Sequence, residues 1–336
     1  ERVMGKITVT AGGTSMSSAA TVNKYTSFST TVNTIGNIKD ITLKNYYVVN
    51  ARKEGYYFRH VDKGSSATNP LTEANYGTSS TTLPYVTDPK TYDKTYTSTP
   101  ALANSYGDWY LQGSSAFGLS SFGTFSGTYT DMPGYSSGAV ETKVAAYCYE
   151  NTMLKDKQKN GYTTGIVFKA EIAPSKMMQK KSSGDGVEET NTIGSIGEIF
   201  YHSGIFYKNI EALKAAGVLL ADGTTSSSAS GALTDLKKND VQCFLKGNTD
   251  GKFICYYPYW IKHLPSDTAE DVMEFGIVRN NVYQVTVASI QGVGKDGVTE
   301  NIITDTETDD PTTVLLNVKL SIKPWIVRTN SAVLGR

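Results

Sequence analysis

The sequence predicts an all-β protein of two tandem β-sandwich domains with one or two short helices. Three observations carry that prediction. Apolar residues repeatedly alternate with polar ones at period two, the signature of a strand with one buried face. Thr, Ser, Gly, Tyr and Val dominate the composition, and 22 tyrosines suit pleated, half-exposed surfaces. Short alternating runs are separated by Gly-rich turns throughout, over a length of 336 residues that is enough for two cores. We expect an N-terminal domain over 1–175, a C-terminal domain over 176–324 and a separate tail over 325–336.

Taken in order, Val3, Gly5, Ile7, Val9 and Ala11 share one face of a first strand that ends at Gly12-Gly13. Residues 38–50 alternate again, with Tyr56 to His60 as the expected partner across Arg52–Gly55. Residues 62–138 are polar, Gly-rich and aromatic, and predict short strands and surface excursions. Two further strands, over 140–151 and 164–173, close the first domain. Residues 174–191 are charged, carry Gly184 and Gly186 and show no periodicity, so they read as a connection or long loop.

One short helix follows, with Asn209 as N-cap and Gly217 just past the end. A hairpin then carries Cys243 and Cys255 around Gly247–Gly251. A five-residue loop sets those cysteines opposite each other, where an oxidising compartment allows a cross-strand disulfide; two buried thiols are the alternative. Residues 282–287 form a clear strand. From Val314 to Ile322 the chain alternates without a break, with Val314, Leu316, Val318, Leu320 and Ile322 on one face. Pro324 interrupts the ladder because it has no N–H to donate.

Function classes can be set aside on simple grounds. Lys plus Arg equals Asp plus Glu at 32 each, so no global field attracts nucleic acid or an anionic membrane. No apolar run approaches the roughly 20 residues a spanning helix needs. The chain opens on Glu1 and not on Met, which reads as a processed or trimmed form whose compartment no leader reveals.

Two catalytic patterns match in letters. Gly292-Val293-Gly294-Lys295-Asp296-Gly297 fits the dinucleotide fingerprint, but the residues after it lack the helix whose N-terminal amides would hold a pyrophosphate. Gly134-Tyr135-Ser136-Ser137-Gly138 fits the nucleophile elbow, but Met132-Pro133 precedes it and a strand follows where a helix is needed. His60, His202 and His263 lack neighbours at metal-ligand spacing. Asp305, Glu307, Asp309 and Asp310 lack the turn and terminal Glu of a calcium loop. We therefore expect no enzyme activity, no catalytic residue, no cofactor and no metal.

The C-terminal half carries a family resemblance. Cys255 to His263 (CYYPYWIKH), Met273 to Tyr283 (MEFGIVRNNVY) and Leu316 to Leu320 with Trp325, in that order and spacing, resemble the fimbrillins of Bacteroidales type V pili. Within that family the chain looks most like the major subunit of the minor fimbrium. Ala146 to Thr152 (AYCYENT) is similar to a segment near the end of the family's N-terminal domain. The resemblance implies two transthyretin-like sandwiches and export through the outer membrane as a lipoprotein precursor. It also implies proteolytic maturation at the cell surface and head-to-tail polymerisation by donor-strand exchange, supporting adhesion. The partners implied are other copies of this chain, accessory tip and anchor pilins, and unidentified surface ligands. The expected donor strand is Trp325, Ile326, Val327, Arg328, Thr329, Asn330, Ser331, Ala332, Val333 and Leu334. The expected first strand of the acceptor groove is Ile7, Thr8, Val9 and Thr10.

Chain geometry is compatible with that assembly. Twelve extended residues from Trp325 reach about 40 Å, enough to run along a neighbouring sandwich. Strand addition satisfies rows of backbone groups and lets alternate side chains fill pockets. A head-to-tail contact that does not close builds an open filament. Ile326, Ala332 and Leu334 face the groove in one register; Val327, Thr329, Ser331 and Val333 do in the other. The first holds the larger side chains but also carries Arg328 and Asn330. A tip or accessory adhesin is the second reading, with Trp109, Tyr110, Phe117, Phe122, Phe125 and Tyr129 as the candidate surface.

Overall fold

The computed structural model describes residues 3–10, 37–62, 85–88, 129–133, 135–136, 139–152, 162–219, 236, 239–248, 251–263, 274–297 and 315–324. The first strands are β1 (Gly5–Thr10), β2 (Ile38–Val49), β3 (His60–Asp62), β4 (Tyr85–Thr87), β5 (Thr130–Asp131), β6 (Tyr135–Ser136), β7 (Ala139–Val140), β8 (Thr142–Cys148) and β9 (Gly165–Pro174). There follow β10 (Met177–Lys180), β11 (Val187–Thr190), β12 (Glu198–His202), β13 (Ile205–Tyr207) and the helix α1 (Ile210–Ala215). The last are β14 (Gln242–Leu245), β15 (Phe253–Trp260), β16 (Asn281–Ile290) and β17 (Leu316–Pro324). The protein is all-β, as its alternation predicts.

Three sheets make up the body. The first has the order β17-β16-β1-β8, the second β15-β9-β2-β5 and the third β11-β10-β13-β12-β14. β3 pairs with β4, and β6 with β7, as two-stranded ribbons. The first two sheets share one apolar cluster. Ile7 and Val9 of β1 and Tyr283, Val285 and Val287 of β16 pack in it with Ile41, Phe168, Ile172, Phe253 and Tyr257 of the second sheet. Each such side chain contributes roughly 1.5–3 kcal/mol on burial, so this layer dominates the fold energy. Ile199, Phe206 and Phe244 bring the third sheet into the same cluster. Its neighbouring residues Phe200, Tyr207 and Cys243 form a second cluster with Ile210, Ala212 and Leu213 of α1. Alternation thus gives the third sheet two buried faces.

α1 forms where its capping residues direct. Asn209 accepts a hydrogen bond from the Ala212 amide at 2.9 Å, and Gly217 takes the left-handed conformation with φ +73°.

Two structural expectations need correction. Tyr56 to His60 does not partner β2, which lies between β9 and β5; the chain instead runs into β3, against β4. Residues 174–191 are not a long loop: Met177 to Lys180 pairs with Val187 to Thr190 as a hairpin, turning through Gly184 and Gly186 at φ +78° and +91°. Its strand character hides behind cross-strand polar pairs, Lys176 with Glu189 at 2.6 Å and Gln179 with Glu188 at 3.0 Å.

The cysteines take the second of the two arrangements the sequence leaves open. Cys148, Cys243 and Cys255 are all free and buried. The hairpin closes on the Lys246–Phe253 bridge, and its strands then part into different sheets. Cys243 pairs with Phe200 and Cys255 with Ala170, each inside a different apolar cluster. Burial pushes the Cys148 and Cys255 thiols up to about 12.

Strands from the two halves of the chain share sheets. β1 pairs in parallel with β16, and β9 pairs antiparallel with β15 over eight positions. Alternation reports that a segment is a strand, not which strand it joins.

Candidate functional site

The two ends of the described chain meet in the first sheet. β17 runs antiparallel to β16 from Ile290–Leu316 to Asn281–Pro324. Leu316 is buried, and Val318, Leu320 and Ile322 pack half-buried on the main cluster. Asn317, Lys319 and Lys323 are exposed. The terminal alternating strand therefore belongs to this molecule's own sheet as far as Pro324. The expected donor residues, Trp325 to Leu334, lie outside the described residues. So do Trp109, Tyr110, Phe117, Phe122 and Phe125, and the acidic segment 305–310.

Ile7 to Thr10 lies in the interior of the same sheet, with β16 on one side and β8 on the other. Ile7 and Val9 are fully buried. The expected acceptor strand is therefore hydrogen-bonded along both edges, with Ile7 opposite Tyr283 and Ala146. An incoming strand beside it would have to take the place of one of those neighbours.

Where β8 ends, a buried polar junction binds segments from both halves of the chain. Glu150 receives Arg279 at 2.7 Å, with both side chains almost fully buried. The same guanidinium donates to the Tyr56 and Tyr57 carbonyls at 2.8 and 3.0 Å. Asn151 donates to the Asn50 and Tyr162 carbonyls at 3.1 and 2.8 Å and to Thr164 Oγ1 at 2.7 Å. Its oxygen accepts from Arg52 Nε at 3.0 Å. Backbone bonds between Asn151 and Ile277 run both ways, at 3.0 and 2.8 Å. The Thr152 amide donates to Asp88 Oδ2 at 2.8 Å, and the Asp88 amide donates to Thr152 Oγ1 at 3.0 Å. A buried charge is tolerated when it is paired: Arg279 pairs with Glu150, and Arg52 Nη2 lies 3.7 Å from Asp88 Oδ2. The residues singled out by family resemblance, Glu150 to Thr152 and Arg279, are thus the two sides of one joint. Its remaining members, Arg52, Asp88 and Thr164, carried no pattern in the sequence.

The motifs with catalytic spelling occupy other geometry. Gly292 to Gly297 is itself not helical; it crosses β15, with Lys295 and Tyr256 exchanging backbone bonds at 2.7 and 2.8 Å. A Cβ on Gly294 would stand 2.5 Å from the Tyr256 oxygen, so close backbone approach explains that glycine. Ser136 sits opposite Ala139 in the β6–β7 ribbon, not on a strand-to-helix elbow. His202 Nδ1 lies 3.3 Å from the Asp240 carbonyl. His263 Nδ1 lies 2.8 Å from the Tyr283 hydroxyl, and burial lowers its pKa. Among the described residues no three His, Cys, Asp or Glu side chains gather as a metal site. No described helix is long and apolar enough to cross a membrane.

Among the described residues, several sheets and a single short helix define a β-sandwich protein. The C-terminal strands carry a family match: residues 250–331 match the family described as major fimbrial subunit protein type IV, fimbrillin, C-terminal. The motifs at 255–263, 273–283 and 316–320 all fall inside it. A 1.30 Å crystal structure of a fimbrilin (fimA) from Porphyromonas gingivalis W83 is similar at 17% identity and TM-score 0.33, over 98% of this chain and 60% of that one. The chain thus spans 60% of that relative's length. No curated protein matches it.

Proposed function

We propose that this chain is a structural subunit of a cell-surface type V pilus that polymerises head-to-tail by donor-strand exchange. The single observation that carries the proposal is the fimbrillin match over 250–331, which takes in β15, β16, β17 and most of the expected donor strand. In this reading β17 completes the subunit's own sheet, and residues 325–334 enter the sandwich of the next copy. β1 forms the interior of the receiving sheet. The subunit leaves the cell as a lipoprotein precursor, matures by proteolysis in the fimbrium and supports adhesion with accessory tip and anchor pilins. It is not an enzyme.

Removal of residues 325–336 tests this. The shortened chain is expected to fold, with the same β-rich circular dichroism, and to form no filaments under the electron microscope. Filaments of normal subunit spacing would overturn donor-strand exchange. The adhesin reading gains nothing from its one described aromatic: Tyr129 packs edge-on against Tyr47 at 5.0 Å and is half-buried.

A further inference from the structure

The second sheet places a lysine, an asparagine and an aspartate side by side across three adjacent strands. Asn45 of β2 stands directly opposite Lys169 of β9 on one side and Asp131 of β5 on the other. Directly opposed residues share a sheet face, with Cβ atoms about 4.5–5.5 Å apart, well within the reach of a lysine. A β-bulge between Leu43 and Asn45 sets this register. It also lets the consecutive residues Lys44 and Asn45 line the same cleft, which a regular strand would forbid. That cleft, of about 260 Å³, is lined by Lys44, Asn45, Asp131, Lys169 and Glu171 among others.

The three groups are in unequal chemical states. Asn45 Nδ2 donates to Asp131 Oδ1 at 2.6 Å, a short bond that holds the carboxamide in place. Glu171 is occupied by Lys44 at 3.3 Å and by the Asn248 amide at 3.2 Å. Lys169 is left half-buried, and among the described residues no hydrogen-bond acceptor or ion-pair partner reaches its Nζ. The amine lies over the Tyr129 ring, 4.7 Å from the centroid. Desolvation lowers its pKa, against a smaller opposing pull from Glu171, which enlarges the neutral, nucleophilic fraction.

From this juxtaposition we infer that Lys169 and Asn45 form an intramolecular isopeptide cross-link, with Asp131 as the proton relay. The Lys169 Nζ lone pair attacks Asn45 Cγ, so that a C–Nζ bond forms and the Cγ–Nδ2 bond breaks. Asp131, already bonded to Nδ2, takes the proton released from Nζ and delivers it to Nδ2, which leaves as ammonia. Amine plus carboxamide gives substituted amide plus ammonia, with no oxidant or other reactant. The bond staples β2 to β9, the two central strands of the second sheet, and is independent of polymerisation.

Mass spectrometry of the purified full chain tests it. The intact mass is expected one ammonia below the sequence mass. A tryptic digest is expected to hold residues 45–52 joined to 160–176, with Lys169 uncleaved. Lys169→Arg and Asn45→Ala each restore the unlinked mass. Asp131→Ala leaves β2 and β9 intact and sharply lowers the linked fraction. Unlinked peptides with cleavage after Lys169 in the folded wild-type chain overturn the cross-link, a result that requires no variant to fold. Full linkage in Asp131→Ala overturns the relay.

Discussion

Arg279 sets its guanidinium 2.7 Å from the carboxylate of Glu150, 129 residues earlier in the chain, with neither side chain more than 2% exposed. This ion pair and the Asn151–Ile277 bridge beside it fasten the end of β8 to the approach to β16. Removing one partner leaves the other charged and buried. Glu150→Ala and Arg279→Ala are therefore each expected to cost about 3–5 kcal/mol in denaturant unfolding. The double variant should cost much less than their sum, because no lone charge remains. Additive losses would show that the two residues act separately.

Asn151 offers a sharper test, because its amide works as donor and acceptor at once. Asn151→Asp keeps an oxygen for Arg52 but removes the donors to the Asn50 and Tyr162 carbonyls. Leaving buried acceptors unpaired costs roughly 1–3 kcal/mol each, so a loss of at least about 2 kcal/mol is expected despite the nearby guanidinium. A stabilised Asn151→Asp variant would mean that the Arg52 charge governs the joint.

The glycines of the Gly292–Gly297 loop differ in what they avoid. A Cβ on Gly294 meets the Tyr256 carbonyl at 2.5 Å, whereas one on Gly292 meets the terminal Cδ2 of Leu315 at 2.7 Å. Backbone cannot yield without breaking the Lys295–Tyr256 bonds, but a leucine methyl can rotate away. Gly294→Ala is expected to destabilise by about 1–3 kcal/mol and Gly292→Ala by less. The reverse order, measured by thermal unfolding, would contradict this packing.

Elements were legible wherever one face is buried and short-range signals suffice. β17 shows in Leu316, Val318, Leu320 and Ile322, and α1 in Asn209 and Gly217. Partner choice was not legible, since Thr8 and Tyr283 meet across 275 residues and nothing local in either strand names the other. The β10–β11 hairpin stayed hidden because Met177 is its only fully buried residue among charged neighbours. Glu150, Asn151, Thr152 and Arg279 were visible as motif letters. Their chemistry emerged only when folding brought Arg52, Asp88 and Thr164 to them.

The three buried thiols make stability depend on alkaline pH. Burial raises Cys148 and Cys255 from an ordinary 9.0 to about 12. It raises Cys243 as well, with further upward contributions from Glu198 and Asp296. The folded state thus holds protons that the unfolded chain releases first. Their contribution is fully present below about pH 9 and is lost as pH climbs from there through about 12. Unfolding free energy should therefore fall across that window, and a triple Cys→Ala variant should show a shallower slope on that account. Below pH 9 the thiols are neutral as well as covered. A thiol-specific reagent at pH 8 is expected to label almost none in the native protein and all three in denaturant. Rapid native labelling, or a disulfide between Cys243 and Cys255 under mild oxidation, would contradict their placement in separate cores.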